Sequence, residues 1–110
     1  MSATWIDCLR TSMSPASKQA LRLWDVLTSE LPSLPAPLVA SRGDGGLQLV
    51  WDAGPAHVHV DVLRDGALEW FGLDRHTGET WGAEGWSADD VPRALITELG
   101  LVIRHGGGDA

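Results

Sequence analysis

The stretch from Leu47 to Leu73, LQLVWDAGPAHVHVDVLRDGALEWFGL, constrains this chain more than any other feature. Apolar and polar residues alternate through Leu47–Asp52, through His57–Val62 and again through Leu68–Leu73. A period of two places successive side chains on opposite faces of a strand. Ala53–Ala56 and Asp65-Gly66 interrupt the alternation with turn-forming residues. Three antiparallel strands in a meander follow.

The turns predict the register. A loop over Ala53–Ala56 sets Asp52 opposite His57, Trp51 opposite Val58, Leu49 opposite Val60 and Leu47 opposite Val62. Asp65-Gly66 read as a two-residue hairpin turn sets Val62 opposite Glu69, Val60 opposite Phe71 and Val58 opposite Leu73. Cross-strand partners share a face. The expected core face therefore carries Leu47, Leu49, Trp51, Val58, Val60, Val62, Phe71 and Leu73, with Glu69 at its rim. The other face carries Gln48, Val50, Asp52, His57, His59, Asp61, Leu63, Leu68 and Trp70. An antiparallel sheet with one solvated face reads this way.

A helix is expected to roof the apolar face. Ser14-Pro15 supplies an N-cap and a first-turn proline. Ala16, Ala20, Leu23, Trp24, Leu27 and Leu31 then recur at helical spacing before Pro32. Pro32, Pro35 and Pro37 make an extended connector into a strand over Leu38–Arg42, and Gly43–Gly46 is a turn. Glu79–Trp86 reads as a further strand. Ser87 or Asp90 caps a second helix bearing Val91, Leu95, Ile96 and Leu99, with Gly100 as its stop and Leu101–Ile103 as a tail strand. The expected fold is α+β: an antiparallel meander of four to five strands, an N-terminal amphipathic helix on one face and a second, C-terminal helix. One domain spans 1–104, residues 1–13 are a loosely attached segment, and 105–110 are a disordered tail.

Charge narrows the function. Eight basic residues face fifteen acidic ones, a formal charge of −7. The single lysine and scattered arginines cannot grip a phosphate backbone, which argues against direct nucleic-acid binding. Such a surface favours basic partners. Cys8 is the lone cysteine, so neither an internal disulfide nor a cysteine zinc cluster is available. With no leader-like opening and no apolar run of about 20 residues, a cytoplasmic, membrane-free protein is expected.

The run Asp44-Gly45-Gly46-Leu47-Gln48-Leu49-Val50-Trp51, following a Ser-Pro-opened helix and Leu34-Pro35-Ala36-Pro37, resembles a widespread family of small bacterial proteins. That family shares a strand of the form DGG-aliphatic-Q-aliphatic-x-W. The resemblance covers residues 14 to about 99. Relatives carry Trp-Asp-Gly before the first helix, where this chain has Trp5-Ile6-Asp7. The resemblance supplies no catalytic residues. It implies a role among antitoxins, immunity proteins and anti-defence inhibitors of the anti-CRISPR kind.

Two clusters carry candidate chemistry. His57, His59 and Asp61 share a face, with Asp52 opposite His57. A His-x-His strand with a carboxylate is a ligand pattern for zinc or another transition metal. It would make the chain a metal-binding protein or metal-dependent enzyme. A His–Asp pair is also a general-base pattern, but a flat sheet offers no substrate pocket. Cys8 lacks a neighbouring base, and Gly43–Gly46 lacks the lysine and the following helix of a phosphate loop. The second cluster is acidic and aromatic: Glu79, Glu84, Asp89 and Asp90 beside Trp70, Trp81 and Trp86. Tryptophan is enriched at binding hot spots. The favoured reading is a non-enzymatic module without cofactor, occluding the basic surface of a protein partner. A structural homo-oligomer or homodimer is a further alternative.

Overall fold

The computed structural model describes residues 14–107. The elements run α1 (Pro15–Glu30), β1 (Leu38–Ser41), β2 (Leu47–Ala53), β3 (Ala56–Val62), β4 (Leu68–Asp74), β5 (Thr80–Trp86) and α2 (Arg93–Gly107). The strands form one antiparallel sheet in the order β1-β2-β3-β4-β5. This is the expected α+β meander with two helices. The expectations about Trp5, Cys8 and the N-terminal segment, and about residues 108–110, lie outside the described residues.

Helix α1 starts where its cap requires. Ser14 is extended, and its Oγ accepts from the Ser17 amide at 3.1 Å. Ala16, Ala20, Leu23 and Leu27 are fully buried along one stripe. The Trp51 indole N–H donates to the Pro35 carbonyl at 2.8 Å, tying the proline connector to β2. Helix α2 buries Leu95, Leu99 and Val102 over β2, β3 and β4. It passes through Gly100 and reaches Gly107, so neither the expected stop nor the tail strand forms. The stripe of Leu95, Leu99 and Val102 continues past the glycine. Its burial, roughly 1.5–3 kcal/mol for a fully covered leucine or valine, outweighs about 1 kcal/mol of glycine propensity.

The β2–β3 register agrees with the sequence: Asp52 pairs with His57, Trp51 with Val58 and Leu49 with Val60. The β3–β4 register does not. Val62 pairs with Leu68, Val60 with Trp70 and Val58 with Gly72. The cause is the turn. Leu63 N–H donates to Ala67 O at 2.8 Å, and Gly66 N–H donates to Leu63 O at 2.8 Å. Arg64, Asp65 and Gly66 thus form a three-residue loop with Gly66 at φ 91°. One added loop residue exchanges the faces of β4. Leu68 and Trp70 enter the core, at 0% and 4% exposure, while Phe71 and Leu73 move to the open face with Glu69. Leu49, Trp51 and Val60 therefore lie in the core shared with the two helices, and Phe71 does not.

Gly72 makes room for this arrangement. A Cβ there would stand 2.8 Å from Cζ3 of Trp70 and 3.6 Å from Cγ of Glu98. The indole folds across the gap that Gly72 leaves. Its Nε1 is buried without an acceptor among the described residues.

Candidate interaction site

The helix layer is centred on β2 and β3, with α2 reaching β4. Strand β5 lies beyond it. Strand β5 is the last of the sheet, pairing only with β4 and leaving its outer backbone edge unpaired among the described residues. Trp81 sits opposite Gly72, Ala83 opposite Trp70 and Trp86 opposite Leu68, all on the helix side. Both indoles are half-buried at the margin of the core, and Trp86 Nε1–H donates to Ala83 O at 3.1 Å. Gly85 is the extra residue where Leu68 pairs with Trp86 but Glu69 with Glu84.

Carboxylates line this margin on both sides. On the open face, Asp61, Glu69 and Glu84 occupy successive strands as direct cross-strand partners. Like charges directly opposite destabilise a sheet. Phe71 stands one row over, opposite Gly82, and is 36% exposed. At the far end, Asp74 and Glu79 close the β4–β5 turn, Asp74 N–H donating to Glu79 O at 2.9 Å. Asp74 Oδ1 accepts from His76 N–H at 2.8 Å. Above them Glu98 of α2 is 8% exposed. Burial, then the charges of Asp74 and Glu79, raise its pKa above the usual carboxylate value. Glu69, Asp74, Glu79, Glu84 and Glu98 form no ion pair among the described residues.

The histidine face differs. His57 Nε2 lies 3.2 Å from His59 Nδ1, and His59 packs on Phe71 with ring centroids 5.3 Å apart. His57 Nδ1 faces Asp52 at 3.4 Å, and His59 Nε2 faces Asp61 at 3.7 Å. Both carboxylates are already engaged. Arg75 grips Asp52 with both terminal nitrogens, one at 2.9 Å, and Arg42 reaches Asp61 at 3.1 Å. The Arg75 hydrogen bonds hold the Asp52 pKa down, and burial lowers that of His59. The four sequence-predicted ligands thus share a face. No three metal-ligating side chains converge to hold an ion among the described residues.

Of the expected partner-binding residues, Trp81, Trp86, Glu79 and Glu84 gather along β5. Trp70 is corrected to the core by the register change. Asp89 is paired with Arg22, and Asp90 is exposed in the turn before α2. The sequence reading missed Glu98 and misplaced Glu69 and Phe71. Leu95, Glu98, Leu99 and Val102 follow helical spacing, so Glu98 was legible as an acid on a buried stripe. A separate apolar groove of about 480 Å³ lies at the opposite edge, lined by Pro35, Leu38, Trp51, Ala53, Val102 and Ile103 among others. The chain matches no family model, no curated protein and no solved structure.

Proposed function

We propose that this protein is a non-enzymatic binding module that lays the β5 margin of its sheet on a basic surface of a protein partner. One observation carries the reading. The carboxylates of Glu69, Asp74, Glu79, Glu84 and Glu98 gather around the edge strand β5, and none of these five is in an ion pair among the described residues, whereas the neighbouring Asp61 is held by Arg42 and the nearby Arg75 is engaged by Asp52. Complementary charge steers encounter and selects the partner. The indoles of Trp81 and Trp86 and the ring of Phe71 supply the apolar contact that charge alone lacks. Occlusion of a basic site is the mode of action of small acidic inhibitors, and the antitoxin, immunity or anti-defence class fits it. We place it in the cytoplasm on its charge and its lone Cys8; no described helix is long and apolar enough to cross a membrane.

The acids also oppose pairing of β5 with its own copy, since two such edges would repel. The test is affinity capture from the native lysate with wild type and a Glu79→Lys/Glu84→Lys variant. One basic protein is expected on the wild type at low salt, lost from the variant and released by high salt. Retention of nothing, or equal retention by both, overturns the reading.

A further inference from the structure

We propose that Glu98, with Trp81, Asp74 and Glu79 around it, is the receptor for one arginine side chain of the basic partner. This rests on the protein-binding reading above and names the contact at its centre. Glu98 is more than nine-tenths buried, at 8% exposure, and has no hydrogen-bond or ion-pair partner among the described residues. Its stem runs over the bare backbone of Gly72. Trp81 stands opposite Gly72 on the same side of the sheet, partly exposed. Its carboxylate oxygens keep contact with solvent while the rest of the side chain is covered, and a carboxylate so placed without a counter-charge is disfavoured. Here burial and two neighbouring acids act together against its ionised form.

The geometry selects the cation. The acids do not converge tightly enough for any three to hold one metal ion. A guanidinium is wide, planar and rich in donors. It can bond one carboxylate bidentately while its face stacks on an indole. The two acids at the turn then attract it without direct ligation. A lysine ammonium is a compact point charge and gains less from the indole and the spread acids.

The test uses the full chain, labelled with ¹⁵N, and three short capped peptides of the form Gly-X-Gly. X is arginine, lysine or citrulline. The arginine peptide is expected to shift the Trp81 indole N–H and the Glu98 amide saturably. The citrulline peptide, uncharged and otherwise alike, is expected to shift neither. Glu98→Gln should weaken arginine binding by about tenfold, the loss of one charge-assisted contact. Trp81→Leu should weaken it independently, and both variants should keep the dispersed wild-type spectrum. Equal binding of the lysine or citrulline peptide, or an undiminished response of Glu98→Gln, overturns the assignment. So does a saturable shift of Glu98 by calcium or magnesium chloride, which would mark an ion site. If a basic partner is captured while the arginine peptide fails, this site falls and the binding reading stands; the reverse outcome separates them the other way.

Discussion

The two edges of the sheet are protected by opposite means. Strand β1 is four residues long and enters from a proline connector that Trp51 ties down. Its margin is apolar, with Leu38 at 71% exposure beside the groove. Strand β5 is seven residues long, interrupted by Gly82 and Gly85, and flanked by acids on both faces. A short strand behind prolines denies neighbours a template by lacking length. A longer strand denies them by charge. Charge is selective where shortness is not: it repels a second copy and admits a basic partner. That difference is why β5 rather than β1 is read as the working edge.

The largest expected effect tests the packing beneath β5. Gly72→Val drives a side chain into the Trp70 ring and the stem of Glu98. A loss of about 2 kcal/mol is expected, read as a lower urea midpoint with unchanged slope. At the other edge, Trp51→Phe removes the hydrogen bond to Pro35 and leaves that carbonyl without its partner. About 1–2 kcal/mol is expected. Trp81→Phe should cost clearly less, because its indole is only partly buried and donates no hydrogen bond among the described residues. Equal losses at Trp51 and Trp81 would erase the distinction between a structural edge and a working one.

Glu98→Met comes next and has the opposite sign. A pKa raised on folding means the folded state holds the proton more tightly. The wild-type stability tied to that proton is present at low pH and is lost as pH rises through the folded pKa. At neutral pH the ionised group therefore opposes folding. Glu98→Met should stabilise the protein there, by less than about 1 kcal/mol because the carboxylate oxygens keep contact with solvent, which screens the neighbouring charges. The gain should shrink as the medium is acidified. Denaturation midpoints at several pH values measure it; a gain independent of pH would mean that packing, not charge, was improved.

The two hairpins show why part of this was legible in the residues and part was not. The loop expected over Ala53–Ala56 is in fact a two-residue Gly54-Pro55 turn with Ala53 paired to Ala56, but both loops have an even residue count about the same centre, so Asp52 still meets His57. Arg64-Asp65-Gly66 permits two turns. Asp-Gly fits both a two-residue turn and the end of a three-residue loop, because each places glycine at positive φ. The choice rested on distant packing. Glu69 on a core face was the sign of the wrong register, and exchanging it for Leu68 and Trp70 removes the conflict. Gly100 misled for a related reason: local propensity marks a stop, but the buried stripe through Val102 carries the helix on. The β5 site was half visible. Its acids and tryptophans stand together in the chain, whereas Glu98 reaches them only through α2.

The smallest effect concerns Asp52, the acid nearest the apolar edge, and it turns the logic of Glu98 around. Asp52 is gripped by Arg75 on an exposed surface, so its pKa is lowered, chiefly by those hydrogen bonds. A depressed pKa contributes stability that is present above the unfolded value and is lost as pH falls through the folded one. Solvent screens such a pair, and the denaturation midpoint of Arg75→Gln should stay within error of wild type at neutral pH. The titration should still move: Asp52 in Arg75→Gln should return toward the ordinary aspartate range, followed by its carboxyl chemical shift. An unchanged titration would mean that His57, not Arg75, holds the carboxylate. Asp52 and Asp44, toward β1, are ion-paired within the chain, and Glu69, Asp74, Glu79, Glu84 and Glu98 around β5 are not, among the described residues. Paired charge leaves a surface idle, while unpaired charge beside half-buried indoles leaves it ready for a partner.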